Sequence, residues 1–166
     1  MARIQNRISF IMSFFFLMYI QNNVLAQKVP STKNANIEAI APPMGFEVST
    51  AFNGYISMQN SAAIIMLQVD HSNYIRMFDA IDQDYLDRNK LELISKEKIL
   101  TTSGDKGKGL TLSFDLDGDS FIRKMIFIGD TKKTLWLNIT YPKDLEELIE
   151  KAVDESVKST NLNVLD

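Results

Sequence analysis

Two stretches of this sequence are apolar at nearly every position over the length of a β-strand, and they constrain the fold more than any other feature. Residues 62–69 read AAIIMLQV, and residues 121–128 end in MIFI. Because successive side chains of a strand point to opposite faces, a strand that is apolar on both faces must be covered on both faces. The sequence therefore predicts a sheet that lies between two further layers.

Further strands are predicted from alternating patterns. The clearest is Leu110–Leu116, where every second residue is apolar, followed by a hairpin turn at Asp117-Gly118. Polar residues 92–101 are typical of an edge strand, and residues 102–109 hold three glycines and predict a loop. The other predicted strands cover residues 46–48, 55–58 and 135–139.

Two helical segments complete the prediction. Residues 73–89 carry apolar side chains at three- and four-residue steps, although Asp82 could divide them into two short helices. Pro142 suits the first position of a final helix, whose predicted apolar stripe includes Leu148 and Ile149. The predicted fold class is α/β (α+β), an α/β/α sandwich with a mainly antiparallel sheet of six or seven strands flanked by helices.

The N-terminus has the pattern of a secretory signal peptide. Arg3 and Arg7 precede a 13-residue apolar run, Ile8 to Ile20, which is shorter than the roughly 20 residues that a spanning helix needs. Val24-Leu25-Ala26 then predicts cleavage between Ala26 and Gln27. We expect an exported chain, periplasmic or extracellular, with no membrane span after cleavage.

The rest of the chain divides into three predicted parts. Residues 27–43 are predicted to form a flexible tether, residues 44–160 one domain, and residues 161–166 a C-terminal tail. The chain contains no cysteine, so a packed core rather than disulfides must stabilise it. The 18 basic and 21 acidic side chains become 16 and 21 once Arg3 and Arg7 are removed, a net charge of −5. An acidic domain without a basic cluster is a poor nucleic-acid binder.

The order of these segments resembles that of the PsbP-like family. "PPMGF" opens the domain, "SKEKI" begins the strand after the first helical segment, and "LWLNITYPKDLEELIEKAV" leads into the last helix. The resemblance covers Pro42 to Thr160 and is closest to exported bacterial members of the family. It implies an antiparallel sheet flanked by helices, no enzyme chemistry, and function through protein partners, as in the photosystem II extrinsic subunit and the Ran-binding import factor that share the fold.

A first candidate metal site is formed by Asp115, Asp117 and Asp119 around Gly118. Carboxylates at alternate positions are typical ligands of calcium. The spacing differs from that of an EF-hand loop, because the twelfth position, where a glutamate belongs, is Ile126. The alternative interpretation is a solvated hairpin tip, in which Asp and Gly satisfy the turn.

A second and weaker candidate is His71, the single histidine, together with Asp70. Asp79, Asp82 and Asp84 are close in sequence and could contribute oxygen ligands. The alternative is that His71 is an exposed residue and that the aspartates form the wet side of a helix, since metal sites usually contain two or more His or Cys.

No catalytic motif stands out in the sequence. It has no cysteine nucleophile and no G-x-S-x-G elbow, and no cofactor is expected. The first hypothesis is therefore an exported, non-enzymatic binding or accessory domain with a protein partner. A divalent-cation or small-ligand module and, more remotely, a carboxylate-based hydrolase remain open as alternatives.

Overall fold

The computed structural model describes residues 31–165. The predicted signal peptide, its cleavage site and the first residues of the predicted tether lie outside the described residues. The strands are β1 (Ser31–Asn34), β2 (Glu47–Val48), β3 (Gly54–Ser57), β4 (Ala62–Asp70), β5 (Glu92–Leu100), β6 (Lys106–Leu116), β7 (Asp119–Gly129) and β8 (Lys133–Pro142). The α-helices are α1 (Tyr74–Asp79), α2 (Gln83–Arg88) and α3 (Glu146–Lys158), and 3-10 turns occupy Ile37–Ala39, Lys143–Leu145 and Leu162–Val164.

The eight strands that the structure describes form one antiparallel sheet, in which seven follow the order β2-β3-β4-β8-β7-β6-β5 and β1 pairs with β4 outside this order. β3 and β1 share one edge of β4, where β3 pairs with residues 62–65 and β1 with residues 67–70. This architecture confirms the predicted fold class. The sheet has one strand more than expected because β1 forms inside the segment that was predicted to be a tether.

Helices cover the sheet on both sides, as the doubly apolar strands predicted. On one side, which we call the α3 face, Ile149, Val153 and Val157 of α3 pack on β4, β7 and β8. On the other side, the helix-pair face, Phe78 of α1 and Leu86 of α2 pack on β6 and β7. β7 supplies both cores, since its side chains alternate between the two faces.

Residues 31–43 are not a flexible tether in the structure. Ala39 and Ile40 are buried, and the Tyr55 hydroxyl donates hydrogen bonds to the carbonyls of Ile37 (2.9 Å) and Ile40 (3.2 Å). The carbonyl of Ala41 accepts a hydrogen bond from the Ser156 hydroxyl of α3. The segment is fixed because its backbone polar groups find partners on β3 and α3.

The C-terminal residues that the structure describes also pack on the domain instead of forming a free tail. Leu165 is buried, and the amide of Asn161 donates a hydrogen bond to the carbonyl of Ala39 at 2.9 Å. The two ends of the described chain therefore stabilise each other on the α3 face.

The helical stretch 73–89 forms two short helices, the alternative that the sequence left open, because the Asp82 carboxylate accepts a hydrogen bond from the Tyr85 amide (2.8 Å) and caps α2. Other element boundaries differ from the predictions. Pro142 ends β8 and α3 begins only at Glu146, which leaves Leu148 66% exposed and outside the buried stripe. β6 begins at Lys106 inside the predicted loop, because β5 and β7 pair with it on both sides.

None of the helices in the described part of the chain is long and apolar enough to cross a membrane.

Candidate functional site

The hairpin between β6 and β7 presents the three aspartates of the first candidate metal site. Asp117 (φ 52°) and Gly118 (φ 88°) form the two-residue turn with positive φ that the sequence predicted. The Asp115 carboxylate accepts a hydrogen bond from the Ser120 hydroxyl at 2.6 Å. The carboxylate therefore has a partner inside the hairpin, which supports the solvated-turn interpretation.

Two open clefts flank this hairpin. A cleft of about 640 Å³ lies beside Asp115 and includes Lys90 and Lys143, whereas a cleft of about 370 Å³ lies beside Asp119 and includes Asp144. Asp115 and Asp119 thus line different clefts. A metal ion at this tip stays a prediction that a binding measurement has to test.

The two residues of the second candidate site do not form a common site, because Asp70 has other partners and His71 is exposed. Asp70 accepts a hydrogen bond from Gln68 Nε2 (2.6 Å) and lies 3.5 Å from the Lys33 ammonium. The hydrogen bond from Gln68 is the main cause that lowers the pKa of Asp70. His71 is exposed in the turn after β4, with a positive φ of 58°.

The three aspartates close to His71 in sequence also occupy separate structural positions. Asp79 forms an ion pair with Lys108 (3.3 Å), Asp82 caps α2, and Asp84 is exposed in its first turn. Within residues 31–165, no group of three or more His, Asp or Glu side chains is placed so that it could hold a metal ion.

The sequence interpretation missed a row of buried polar side chains on β8. Trp136, Asn138 and Thr140 occupy alternate positions, so all three point to the helix-pair face. Asn138 is 7% exposed and Thr140 2% exposed. Trp136 Nε1, Asn138 Oδ1 and Thr140 Oγ1 are buried and have no hydrogen-bond partner among the residues that the structure describes.

Such a row is costly for a domain that only has to fold. A buried polar group without a partner costs about 1–3 kcal/mol, and native structures contain few of them. Valine at position 140 or leucine at position 138 would fill nearly the same space without this cost. The row is therefore a feature of β8 that the packing of the described residues alone does not require.

A buried cation lies beside this row. Arg123 on β7 pairs in register with Thr140, shares its face, and is 3% exposed. Its guanidinium carbon lies 4.6 Å from the centroid of the Phe114 ring. Burial lowers the pKa of Arg123 to about 10, and the nearby Tyr85 acts in the opposite direction. Arg123 is thus positively charged at neutral pH.

The α3 face contains a second buried cation, with a structural role. The Lys124 ammonium bonds to Glu150 (3.0 Å) and Asp154 (2.7 Å) of α3. Burial alone would lower the pKa of Lys124, but these two carboxylates outweigh it and raise the pKa. The ion pairs of Lys124 therefore connect α3 to β7 of the sheet.

Comparisons with known proteins identify the fold. No family model and no curated protein matches the sequence. The solution structure of cyanobacterial PsbP (CyanoP) from Synechocystis sp. PCC 6803 is similar, with 9% sequence identity, a TM-score of 0.53, and coverage of 87% of this chain and 98% of that chain.

Two further solved structures are matched with lower TM-scores. The protein of unknown function PA94 from Pseudomonas aeruginosa has 12% identity, a TM-score of 0.46, and coverage of 85% of this chain and 89% of that chain. LpqN, involved in cell envelope biogenesis of Mycobacterium tuberculosis, has 14% identity, a TM-score of 0.47, and coverage of 88% and 92%. The likeness to cyanobacterial PsbP shows that this chain has the PsbP-like fold, as its sequence motifs indicated.

Proposed function

We propose that this chain is an exported, non-enzymatic accessory domain that binds a protein partner by accepting an extended strand at the free edge of β5. The resemblance to the PsbP-like family supports an accessory role, and the N-terminal signal-peptide pattern supports export. The observation that carries the proposal is the exposed β5 edge.

β5 is the last strand on its side of the sheet and pairs with β6 alone among the described strands. It is nine residues long, and apolar side chains near both its ends are exposed, namely Leu93 (42%), Ile94 (50%) and Leu100 (66%). An edge strand presents unpaired backbone N–H and C=O groups that another extended segment can complete.

The charges of β5 indicate what kind of strand would bind. Lys96 and Lys98 pair with Leu110 and Lys108, so they lie on the helix-pair face, whereas Glu97 lies on the α3 face. If the β5 edges of two copies of this chain paired in antiparallel fashion, the helix-pair faces of both copies would lie on the same side of the joined sheet. A register that aligns the centres of the two strands would then place lysine opposite lysine. Like charges in such pairs are destabilising. A second copy of this chain is therefore disfavoured.

The partner strand should instead carry acidic side chains on the face that meets Lys96 and Lys98, and apolar side chains at its ends. Such a strand would gain cross-strand ion pairs in addition to backbone hydrogen bonds. Charge on an edge strand is also a common protection against aggregation, and it leaves pairing with a complementary partner possible.

Site-specific photo-crosslinking in the cells that produce the chain tests this proposal. A photoreactive residue at position 94 or 100 should yield the same partner adduct. The matched control is position 148, because Leu148 is also 66% exposed but lies on α3. N-terminal sequencing of the purified chain tests export separately, and the mature protein should begin at Gln27.

Charge-reversal variants provide the second part of the crosslinking experiment. Lys96→Glu with Lys98→Glu should abolish the adduct, while Lys151→Glu with Lys158→Glu, which changes the net charge equally at exposed positions of α3, should leave it intact. An adduct that forms equally from position 148, or that survives the β5 charge reversal, would contradict strand addition at this edge.

A further inference from the structure

Four lysines lie together on the helix-pair face of the last two strands of the sheet, and we call them the lysine patch. They are Lys96 and Lys98 of β5 and Lys106 and Lys108 of β6, and the register places Lys98 directly opposite Lys108. The β-carbons of such a pair are about 5 Å apart, so like charges at these positions destabilise the sheet. The sequence alone shows no basic cluster, since strand pairing is needed to bring these lysines together.

Most of the positive charge of the lysine patch is not neutralised by the domain. Within residues 31–165, one acidic group pairs with the patch, the Asp79 carboxylate, at 3.3 Å from the Lys108 ammonium. Lys98 and Lys106 are exposed and form no ion pair in this part of the chain. Because the chain as a whole carries more acidic than basic side chains, this excess of positive charge is a local feature that an external anion can neutralise.

An exposed apolar side chain borders the lysine patch on the same face. Leu100 pairs in register with Lys106 and is 66% exposed. The buried ring of Phe78 lies under the ammoniums of Lys108, 4.6 Å from the ring centroid, and Lys96, 5.7 Å from it, and attracts both. Positive charges beside an exposed aliphatic group are the combination by which proteins attach to the surface of anionic bilayers.

The spacing of the lysine patch suits an array of anions better than a single ion. Neighbouring strands lie about 4.8 Å apart and alternate residues of one strand about 6.8 Å apart, so the four lysines are spread over a surface. A lysine ammonium binds phosphate as a point charge, without a fixed geometry. Asp115, at the far end of β6, lies roughly 30 Å along the strand from Lys106. Salt screens charges over about 8 Å, so the acidic hairpin does not oppose contact at the patch.

We propose that the lysine patch attaches the domain to anionic phospholipids, with the ammoniums of Lys98, Lys106 and Lys108 against the lipid phosphates and Leu100 at the level of the headgroups. This attachment needs no protein partner. It shares Lys96 and Lys98 with the proposed strand addition at β5, but it uses the charge of their side chains and not the backbone groups of the edge.

Flotation of the mature chain with lipid vesicles tests the attachment. At low ionic strength the chain should float with vesicles of phosphatidylcholine that contain one third phosphatidylglycerol, and it should not float with vesicles of phosphatidylcholine alone. High salt should release the chain, because the attraction is electrostatic. The assay contains no partner protein, so its failure would not bear on strand addition at β5.

Two double variants separate attachment from folding. Lys98→Gln with Lys106→Gln should weaken binding to the anionic vesicles about 25-fold, since each lysine near such a surface strengthens binding about fivefold. The melting temperature should stay the same or rise, because the repulsion between Lys98 and Lys108 is removed. Lys151→Gln with Lys158→Gln changes the net charge equally at exposed positions of α3 and should leave vesicle binding unchanged.

Several results would overturn the proposal. They are equal flotation with anionic and neutral vesicles, unchanged flotation of Lys98→Gln with Lys106→Gln, and an equal loss of flotation in both double variants. Absence of flotation with the anionic vesicles would also overturn it. Binding of polyglutamate in that case, measured by calorimetry, would assign the lysine patch to an acidic peptide instead.

Discussion

The Nζ atom of Lys124 on β7 lies 2.7 Å from Oδ1 of Asp154 on α3. The lysine side chain is only 4% exposed, whereas Asp154 and Glu150, the second partner, are 43% and 45% exposed. Water can therefore solvate the carboxylates if the lysine is removed, but the lysine has no comparable alternative. This asymmetry distinguishes the two sides of the ion pair.

We predict that Lys124→Met changes the free energy of unfolding by less than about 1 kcal/mol, because methionine fills the same space and the freed carboxylates face water. The double variant Glu150→Gln with Asp154→Asn should lower it by about 2 kcal/mol, because it leaves a buried charge without a counter-charge. Urea unfolding at pH 7 measures both values. A larger loss in Lys124→Met than in the double variant would contradict this account.

The raised pKa of Lys124 also predicts a loss of stability in alkaline solution. A raised pKa in the folded state stabilises the protein fully below the unfolded value, about 10.4, and this contribution is lost as the pH rises through the folded value. Burial raises the pKa of Tyr141 as well, with Glu150, Glu146 and Asp154 acting in the same direction, so both groups respond in this range.

Lys124→Met removes the titration of the lysine and leaves the Tyr141 hydroxyl in place. Between pH 9 and pH 12 the wild-type chain should lose more of its free energy of unfolding than Lys124→Met does. Parallel curves for the two chains over this range would show that the ion pair contributes nothing to the pH dependence.

The packed N-terminal segment predicts that the domain does not begin at Met44. A chain of residues 44–165 should lose at least about 3 kcal/mol relative to residues 27–165, because Ile40 and its buried neighbours no longer cover the α3 face. Thermal and urea unfolding of the two chains make the comparison.

A single substitution tests the same contact without shortening the chain. Tyr55→Phe removes the hydroxyl that donates to the carbonyls of Ile37 and Ile40, and it should cost about 1 kcal/mol in residues 27–165. In residues 44–165 the same substitution should cost nothing, since both carbonyls are already absent. An equal cost in both chains would argue against docking of the segment.

The hairpin aspartates make a prediction about calcium that is simple to test. If Asp115, Asp117 and Asp119 bind the ion, millimolar calcium should raise the melting temperature, and Asp117→Asn should abolish the increase. Asp84→Asn, at an exposed position of α2, is the matched control and should retain it. Equal melting curves with calcium and with a chelator would leave only the solvated-turn interpretation.

The sequence predicted those elements whose pattern is local. Alternation in Leu110–Leu116 and the Asp117-Gly118 turn defined the central hairpin, and the doubly apolar β4 and β7 indicated layers on both sides of the sheet. The N-terminal segment escaped prediction because its partners are distant in sequence. Ala41, for example, is bonded to Ser156 and Ser159.

The polar row was missed for a related reason. Trp136 and Asn138 alternate with Leu135 and Leu137, a pattern typical of a strand with one wet face. Only the strand order shows that β8 lies between β4 and β7, so that its polar side chains are buried. The apolar pattern of both neighbours would have revealed this had their adjacency been known.

Strand addition at β5 is the central claim of this account, and amide hydrogen exchange tests it most directly. The mature chain would be compared alone and in complex with the partner identified by crosslinking. The account predicts slower exchange in residues 92–100 on binding, because outward N–H groups of the edge become hydrogen-bonded, and unchanged exchange in α3. Unchanged exchange in β5, with protection in α3 instead, would contradict it.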